Sequence, residues 1–208
     1  MPTFTLHTVG GKKQRIEVSA DSLEIDFSEH NLVAIDTRPF EQCTNLEYIA
    51  LNHNFLMAID LAPLASCIHL KKLDLSFNKL GVLDLEFAAM CPDIEEIFLD
   101  DNNLIRLDLS PLRPTTALRV LKLNDNRLIS LDLEPLTEST SLETIDVANN
   151  RLMKLDIGPL FSCQALKQLS VSPETRIFSY IVRKLSQSNP EPLNELLRNL
   201  RIKFIIKE

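Results

Sequence analysis

The sequence predicts a stack of repeating strand-and-turn units, and three observations predict it. An asparagine recurs every 24 residues, at Asn54, Asn78, Asn102, Asn126 and Asn150, with His30 in the same register one interval earlier. Two residues after each of these positions comes a leucine: Leu32, Leu56, Leu80, Leu104, Leu128 and Leu152. Ahead of each lie spaced apolar pairs such as Ile49 and Leu51, Leu73 and Leu75, or Leu121 and Leu123. Self-similarity at one fixed period means that no unit buries its apolar edge alone, and that stacked neighbours share a continuous core.

The elements follow in chain order. Residues 1–20 lie outside the repeat; TFTLHTV and QRIEVSA alternate apolar and polar residues around Gly10-Gly11, which predicts a β-hairpin. Its place at the start of the stack makes it a cap over an open sheet edge. Six units then begin at Ser22, Leu46, Leu70, Ile94, Leu118 and Leu142, with a seventh strand over 166–171. Strand side chains alternate between faces, so in residues 120–124 Leu121 and Leu123 point inward while Val120, Lys122 and Asn124 point outward. Beyond the last unit, Ser172-Pro173-Glu174 reads as a helix start, followed by an apolar helical stripe of Ile177, Phe178, Ile181, Val182 and Leu185. Leu193, Leu196, Leu197 and Leu200 form a second stripe, and the closing RIKFIIKE alternates like a short strand. The expectation is a single domain over 1–208: a hairpin cap at 1–21, six repeats over 22–165, and a last strand with a C-terminal helical cap over 166–208.

The unit L-x-x-L-x-L-x-x-N-x-L resembles the leucine-rich-repeat family, in its intracellular form with 24-residue repeats. The resemblance implies an α/β fold, a curved right-handed solenoid with a parallel sheet on its concave side. It also implies a non-enzymatic scaffold for protein–protein interaction, with regulatory subunits or adaptors of phosphatases, GTPases or cytoskeletal proteins as the variants of that role. Ser22 and His30 depart from the pattern in the first unit, as a terminal repeat does.

Most of the eye-catching residues belong to the scaffold. The asparagines follow the strand, where the chain turns inside the stack and an amide can both donate to and accept from buried backbone groups. Asp36, Asp60, Asp84, Asp108, Asp132 and Asp156 form a second row. No calcium-loop motif accompanies it, so each carboxylate is expected to accept backbone N–H bonds in the following turn. Cys43, Cys67, Cys91 and Cys163 share one register, with Thr115 and Ser139 in its gaps; spacings this long are not those of zinc ligands. They are expected to be free buried thiols, which suit a reducing compartment. No run of about 18 apolar residues and no N-x-S/T site is present, and the expectation is a soluble cytoplasmic protein. No cofactor or metal is called for.

Residues 22–173 carry 12 basic and 23 acidic side chains, which argues against nucleic acid or an anionic membrane and for a partner that is basic at the contact. The variable outward strand positions are left to bind it. Tyr48, Phe77 and Phe98 are aromatics that the core pattern does not require, and Lys72, Asp74, Glu96, Asp100, Lys122 and Asp146 surround them in register. These nine residues form the candidate site, with Tyr48 and Phe98 as anchors and a monomer or homodimer as the assembly. Two other readings are testable: a Ser–His–Asp arrangement of Ser76, His53 and Asp74 or Asp100, which lacks a nucleophile elbow or oxyanion hole, and a calcium site at Asp100, Asp101 and Asp125.

Overall fold

The computed structural model describes residues 1–181, 189–199 and 202–206. The chain opens with β1 (Thr3–Thr8) and β2 (Lys13–Glu17), antiparallel about Gly10 and Gly11. Those glycines have φ of 88° and 78°, a region that side chains resist, so the turn depends on them. The repeats supply β3 (Glu24–Asp26), β4 (Leu32–Ile35), β5 (Tyr48–Ala50), β6 (Lys72–Asp74), β7 (Glu96–Phe98), β8 (Val120–Lys122), β9 (Thr144–Asp146), β10 (Lys154–Asp156) and β11 (Gln168–Ser170).

Seven of these strands, in the order β11-β9-β8-β7-β6-β5-β3, form one parallel sheet, each pairing with residues 24 positions away. The predicted register holds at every step: Glu24, Tyr48, Lys72, Glu96, Val120, Thr144 and Gln168 run across it as one column. Their inward neighbours, from Ile25 to Ile145, are buried in a core that extends through all the units.

The asparagine row stitches one turn to the next. The Asn102 Oδ1 accepts from the Leu80 N–H at 3.0 Å, and its Nδ2 donates to the Leu75 carbonyl at 2.9 Å, both in the preceding unit. Asn54, Asn78, Asn126 and Asn150 repeat the arrangement. The aspartate row also does what its spacing predicts: each Oδ1 accepts the backbone N–H two residues on, at 2.8–3.2 Å. The turns that follow are short 3₁₀ segments such as Ala62–Ser66 and Glu134–Glu138, most of them opened by a proline that fixes φ. The four cysteines lie just past such turns, free and buried, and burial pushes the Cys67 thiol up to about 12.

At both ends of the stack strands are added on the descending flank, not to the edge strands β3 and β11 of the main sheet as a cap over the sheet edge would require. β1 pairs antiparallel with β4, the descending segment of the first unit. At the other end β10, the same segment of the sixth unit, pairs in parallel with β12 (Arg176–Ile181). In the units between, residues 57–60, 81–84, 105–108 and 129–132 are not strand. This overturns the expected helix over Glu174 to Leu185 in its described part; Val182 and Leu185 lie outside the described residues. The run Ile177-Phe178-Ser179 satisfies a helical stripe and an alternating strand equally, and Ile177 and Ser179 are the buried pair. The unpaired edge of β10 decides between them, because a strand there satisfies backbone groups that a helix would leave open. The second apolar run does form a helix, α1 (Glu191–Arg198), with Leu193 buried, and β13 (Ile202–Ile206) pairs in parallel with β12. Leu200 lies outside the described residues.

Candidate functional site

The outward face of the sheet is built by side chains that the repeat leaves free. Register places Tyr48, Lys72 and Glu96 side by side in one column and Asp74, Phe98, Lys122 and Asp146 in the next. The two columns are laced together. The Lys72 ammonium lies 4.8 Å from the centre of the Phe98 ring and 3.4 Å from a Glu96 carboxylate oxygen, while Lys122 reaches Asp146 at 3.6 Å. Tyr48 is 40% exposed, whereas Phe98 is half-buried beneath Lys72. The two intended anchors flank β6 from β5 and β7, and a ligand reaching Phe98 must share its face with Lys72.

Phe77 stands at the rim, just past the strand columns, as its register predicts. It follows β6 in a left-handed conformation with φ of 52°, and it shares this with Glu29, His53, Asp101, Asp125 and Asn149 at the same place in their units. Asn, Asp and His are the non-glycine residues found most often in that region; Phe adopts it at a cost. Phe77 is 44% exposed and stacks on His53, with ring centres 4.3 Å apart and planes 11° off parallel. Two bulky rings therefore occupy positions that folding alone would give to asparagine, and they form a flat ledge at the mouth of the face.

Beside the ledge the carboxylates crowd. Burial raises the Asp100 carboxyl above its ordinary range, and the negative Asp74 and Asp101 add to that, with Lys122 opposing. Asp101 is raised as well, by burial and then by Asp125. Two of the nine candidates, Asp74 and Asp100, thus belong to an electrostatically crowded acidic patch. Between Glu24, Tyr48, Lys71, Lys72, Glu95 and Glu96 the surface dips into an open depression of about 440 Å³.

The geometry separates the other readings. The Ser76 hydroxyl donates to Asp74 of its own unit at 2.6 Å, and His53 is stacked on Phe77, so the trio does not form a nucleophile–base relay. Both Asp125 oxygens accept side-chain amides, from Asn124 at 2.8 Å and Asn149 at 3.0 Å. No group of three or more His, Cys, Asp or Glu is placed to hold a metal ion among the described residues.

One column escaped the sequence reading. Immediately before the strands, Glu47, Lys71, Glu95, Arg119, Glu143 and Lys167 alternate in sign at 24-residue steps. Lys71 meets Glu47 at 2.7 Å, Arg119 meets Glu95 at 3.5 Å and Glu143 at 3.2 Å, and Lys167 meets Glu143 at 2.6 Å. Lys71 and Glu95 line the depression beside Tyr48. The signal was available: the same register, shifted one residue ahead of each strand, shows the alternation.

Comparison with known proteins agrees with this architecture. Residues 68–128 match the family model described as leucine rich repeat. Among solved structures, the internalin InlF of Listeria monocytogenes superposes with a TM-score of 0.58 at 20% identity, covering 83% of this chain and 51% of the internalin. Internalin C2 of the same species gives 0.59 at 22% identity, over 83% of this chain and 66% of that one. The ectodomain of the Arabidopsis thaliana receptor kinase GASSHO1/SCHENGEN3, solved in complex with CASPARIAN STRIP INTEGRITY FACTOR 2, gives 0.62 at 19% identity over 69% of this chain and 17% of the ectodomain. The chain therefore spans about half the length of the first of these structures and less than two thirds of each. No curated protein matches the sequence. The repeat pattern, the parallel sheet and these likenesses give the chain a leucine-rich-repeat fold, with the leucine rich repeat model matching residues 68–128.

Proposed function

We propose that the sheet face between β5 and β8 binds a basic or amphipathic segment of another protein, with Tyr48 as the open anchor, Phe98 beneath Lys72 as the second, and the His53–Phe77 ledge at the rim. The observation that carries this is the pairing of exposed aromatics with carboxylates held above their ordinary range. Asp100 and Asp101 are raised first by burial and then by neighbouring like charge, so an arriving lysine or arginine replaces lost hydration and relieves repulsion as it forms a new ion pair, while the rings supply apolar contact at the centre. Lys72 and Lys122 are already shared with Glu96 and Asp146, which leaves the acidic patch to the partner. The four free, buried cysteines support placing the protein in a reducing compartment, as expected of a cytoplasmic adaptor.

Affinity purification from the native source with the wild-type chain and with the Tyr48→Ala/Phe98→Ala double variant tests the reading. Both substitutions sit on the outward face, so the variant should stay folded, with a melting temperature lowered only by the loss of the half-buried Phe98 ring, and lose its partner by tenfold or more in affinity, as hot-spot truncations do. Unchanged affinity in a folded variant overturns the site.

A further inference from the structure

The opposite consequence of the repeat is written on the descending flank, where the chain leaves the sheet and runs toward the 3₁₀ turns. Three residues after each asparagine position stand Val33, Met57, Gly81, Ile105, Ile129 and Met153, with Val82 next to the glycine. The core takes none of these side chains: the six apolar ones are between 42% and 81% exposed. Backbone bonds such as Lys79 N–H to the Leu56 carbonyl and Arg127 N–H to the Leu104 carbonyl hold successive units in register along this flank. The six therefore recur along one flank as an apolar ridge about 24 Å long at the spacing of neighbouring strands, stepped by one residue at Gly81 where Val82 fills the row. Isolated exposed apolar residues are ordinary; a continuous row is not.

The charges on either side of the ridge differ in their balance. Toward the sheet the lane at the first position after each asparagine holds Lys79, Arg127 and Arg151 and no acid. Toward the 3₁₀ turns lie Asp60, Asp84, Asp108 and Asp132, all exposed, with Arg106 and Lys154 as bases between that lane and the ridge. A lipid surface covering the ridge would also cover these four aspartates, which disfavours an anionic membrane. A second copy of the same chain fits better. A two-fold axis running along the ridge lays apolar row on apolar row and reverses the lateral order, so that the basic lane of each copy faces the aspartate lane of its partner.

We infer that this flank is a self-complementary interface through which two copies of the chain associate, with Met57, Val82, Ile105 and Ile129 at its centre. The charge contacts that flank them set Lys79 opposite Asp84 and Arg127 opposite Asp132 of the other copy. The ridge uses none of the residues of the sheet face, so association here and binding there are separable.

The band is narrow, and the dimer it forms is at the small end of stable interfaces, with micromolar dissociation. Sedimentation equilibrium of the full chain from about 5 to about 500 µM brackets that affinity. The expected result is a monomer–dimer equilibrium that Ile105→Asp/Ile129→Asp abolishes without lowering the melting temperature. Arg127→Asp and Asp132→Arg are each expected to weaken the dimer by tenfold or more, and the Arg127→Asp/Asp132→Arg double variant, in which both symmetry-related contacts are exchanged, to restore it. A monomer throughout the range overturns the inference, and so does a dimer indifferent to Ile105→Asp/Ile129→Asp. Binding of the monomer to phosphatidylserine vesicles that the same double aspartate variant abolishes, with no dimer, gives the ridge to a membrane and also overturns it.

Discussion

The middle of the stack and its last turn are built from one repeat and carry opposite kinds of residue. In the middle, Leu73, Ile97 and Leu121 are wholly buried and Asn102 is sealed between two units. That same region presents the unfavourable surface: Phe77 in left-handed backbone, and Asp100 and Asp101 raised by burial and then by like charge. In the last turn, Leu169 and Val171 are only half-buried and Asn150 is partly exposed. Its surface is quiet: Glu143, held below the usual range by hydrogen bonds from Lys167 and Arg119, is fully paired. A unit flanked on both sides receives two interface contributions, an end unit fewer. Apart from Glu29 in the first unit, the bulky residues in left-handed backbone and the raised carboxylates are thus found where neighbours hold the backbone most firmly, which is where a binding face can persist.

The comparison is sharpened most by deleting the same side chain in both places. Leu121→Ala, in the wholly buried centre, should cost about 2–5 kcal/mol in urea denaturation, because the stack cannot close over the cavity. Leu169→Ala, half-buried in β11, should cost about 1–2 kcal/mol, the loss of partial burial alone. Equal costs would mean that burial in this chain does not follow position in the stack. The next effect is polar. Asn102→Ala leaves the Leu80 N–H and the Leu75 carbonyl without their partner and should cost about 1–3 kcal/mol. Asn150→Ala breaks equivalent bonds to the Leu128 N–H and the Leu123 carbonyl, yet water reaches that site and the loss should be smaller. A reversed order would break the comparison.

How far the sequence told this in advance depends on the period. Along the first two outward columns the 24-residue register assigned direction as the structure has it, with Tyr48 outward, Leu121 inward, Asn126 between units and Asp132 capping its turn, whereas Ser76 and Ser172, at outward positions further along, are buried. Tertiary pairing decided the rest. Residues 177–179 fit helix and strand equally well, and only the open edge of β10, a feature of the folded stack, selects the strand. The state of the site was likewise beyond the sequence. Column positions told that Lys72 neighbours Glu96 and that Phe77 stands just past its strand at the same place as His53, but not that the Lys72 ammonium covers Phe98, nor that the two rings stack. The alternating column from Glu47 to Lys167 was legible and missed, because attention to outward strand positions stops one residue too late.

The smallest expected effect tests the electrostatic half of the comparison and depends on sign. Asp100 has its folded pKa above the ordinary 3.8, so between those two values the folded chain holds more protons than the unfolded one, and stability falls as pH rises through that window. Glu143 has its folded pKa below the ordinary 4.5; its contribution is complete above that value and is lost as pH falls through the folded one. At pH near 7, then, Asp100→Asn should raise the melting temperature and Glu143→Gln lower it, with Asn retaining the shape and an acceptor oxygen at position 100. Melting curves from about pH 7 down to about pH 3 should show the gain vanish and the loss shrink. If Asp100→Asn destabilises the chain at neutral pH, its carboxylate belongs to the scaffold, and the acidic patch is no longer a surface kept charged for a partner.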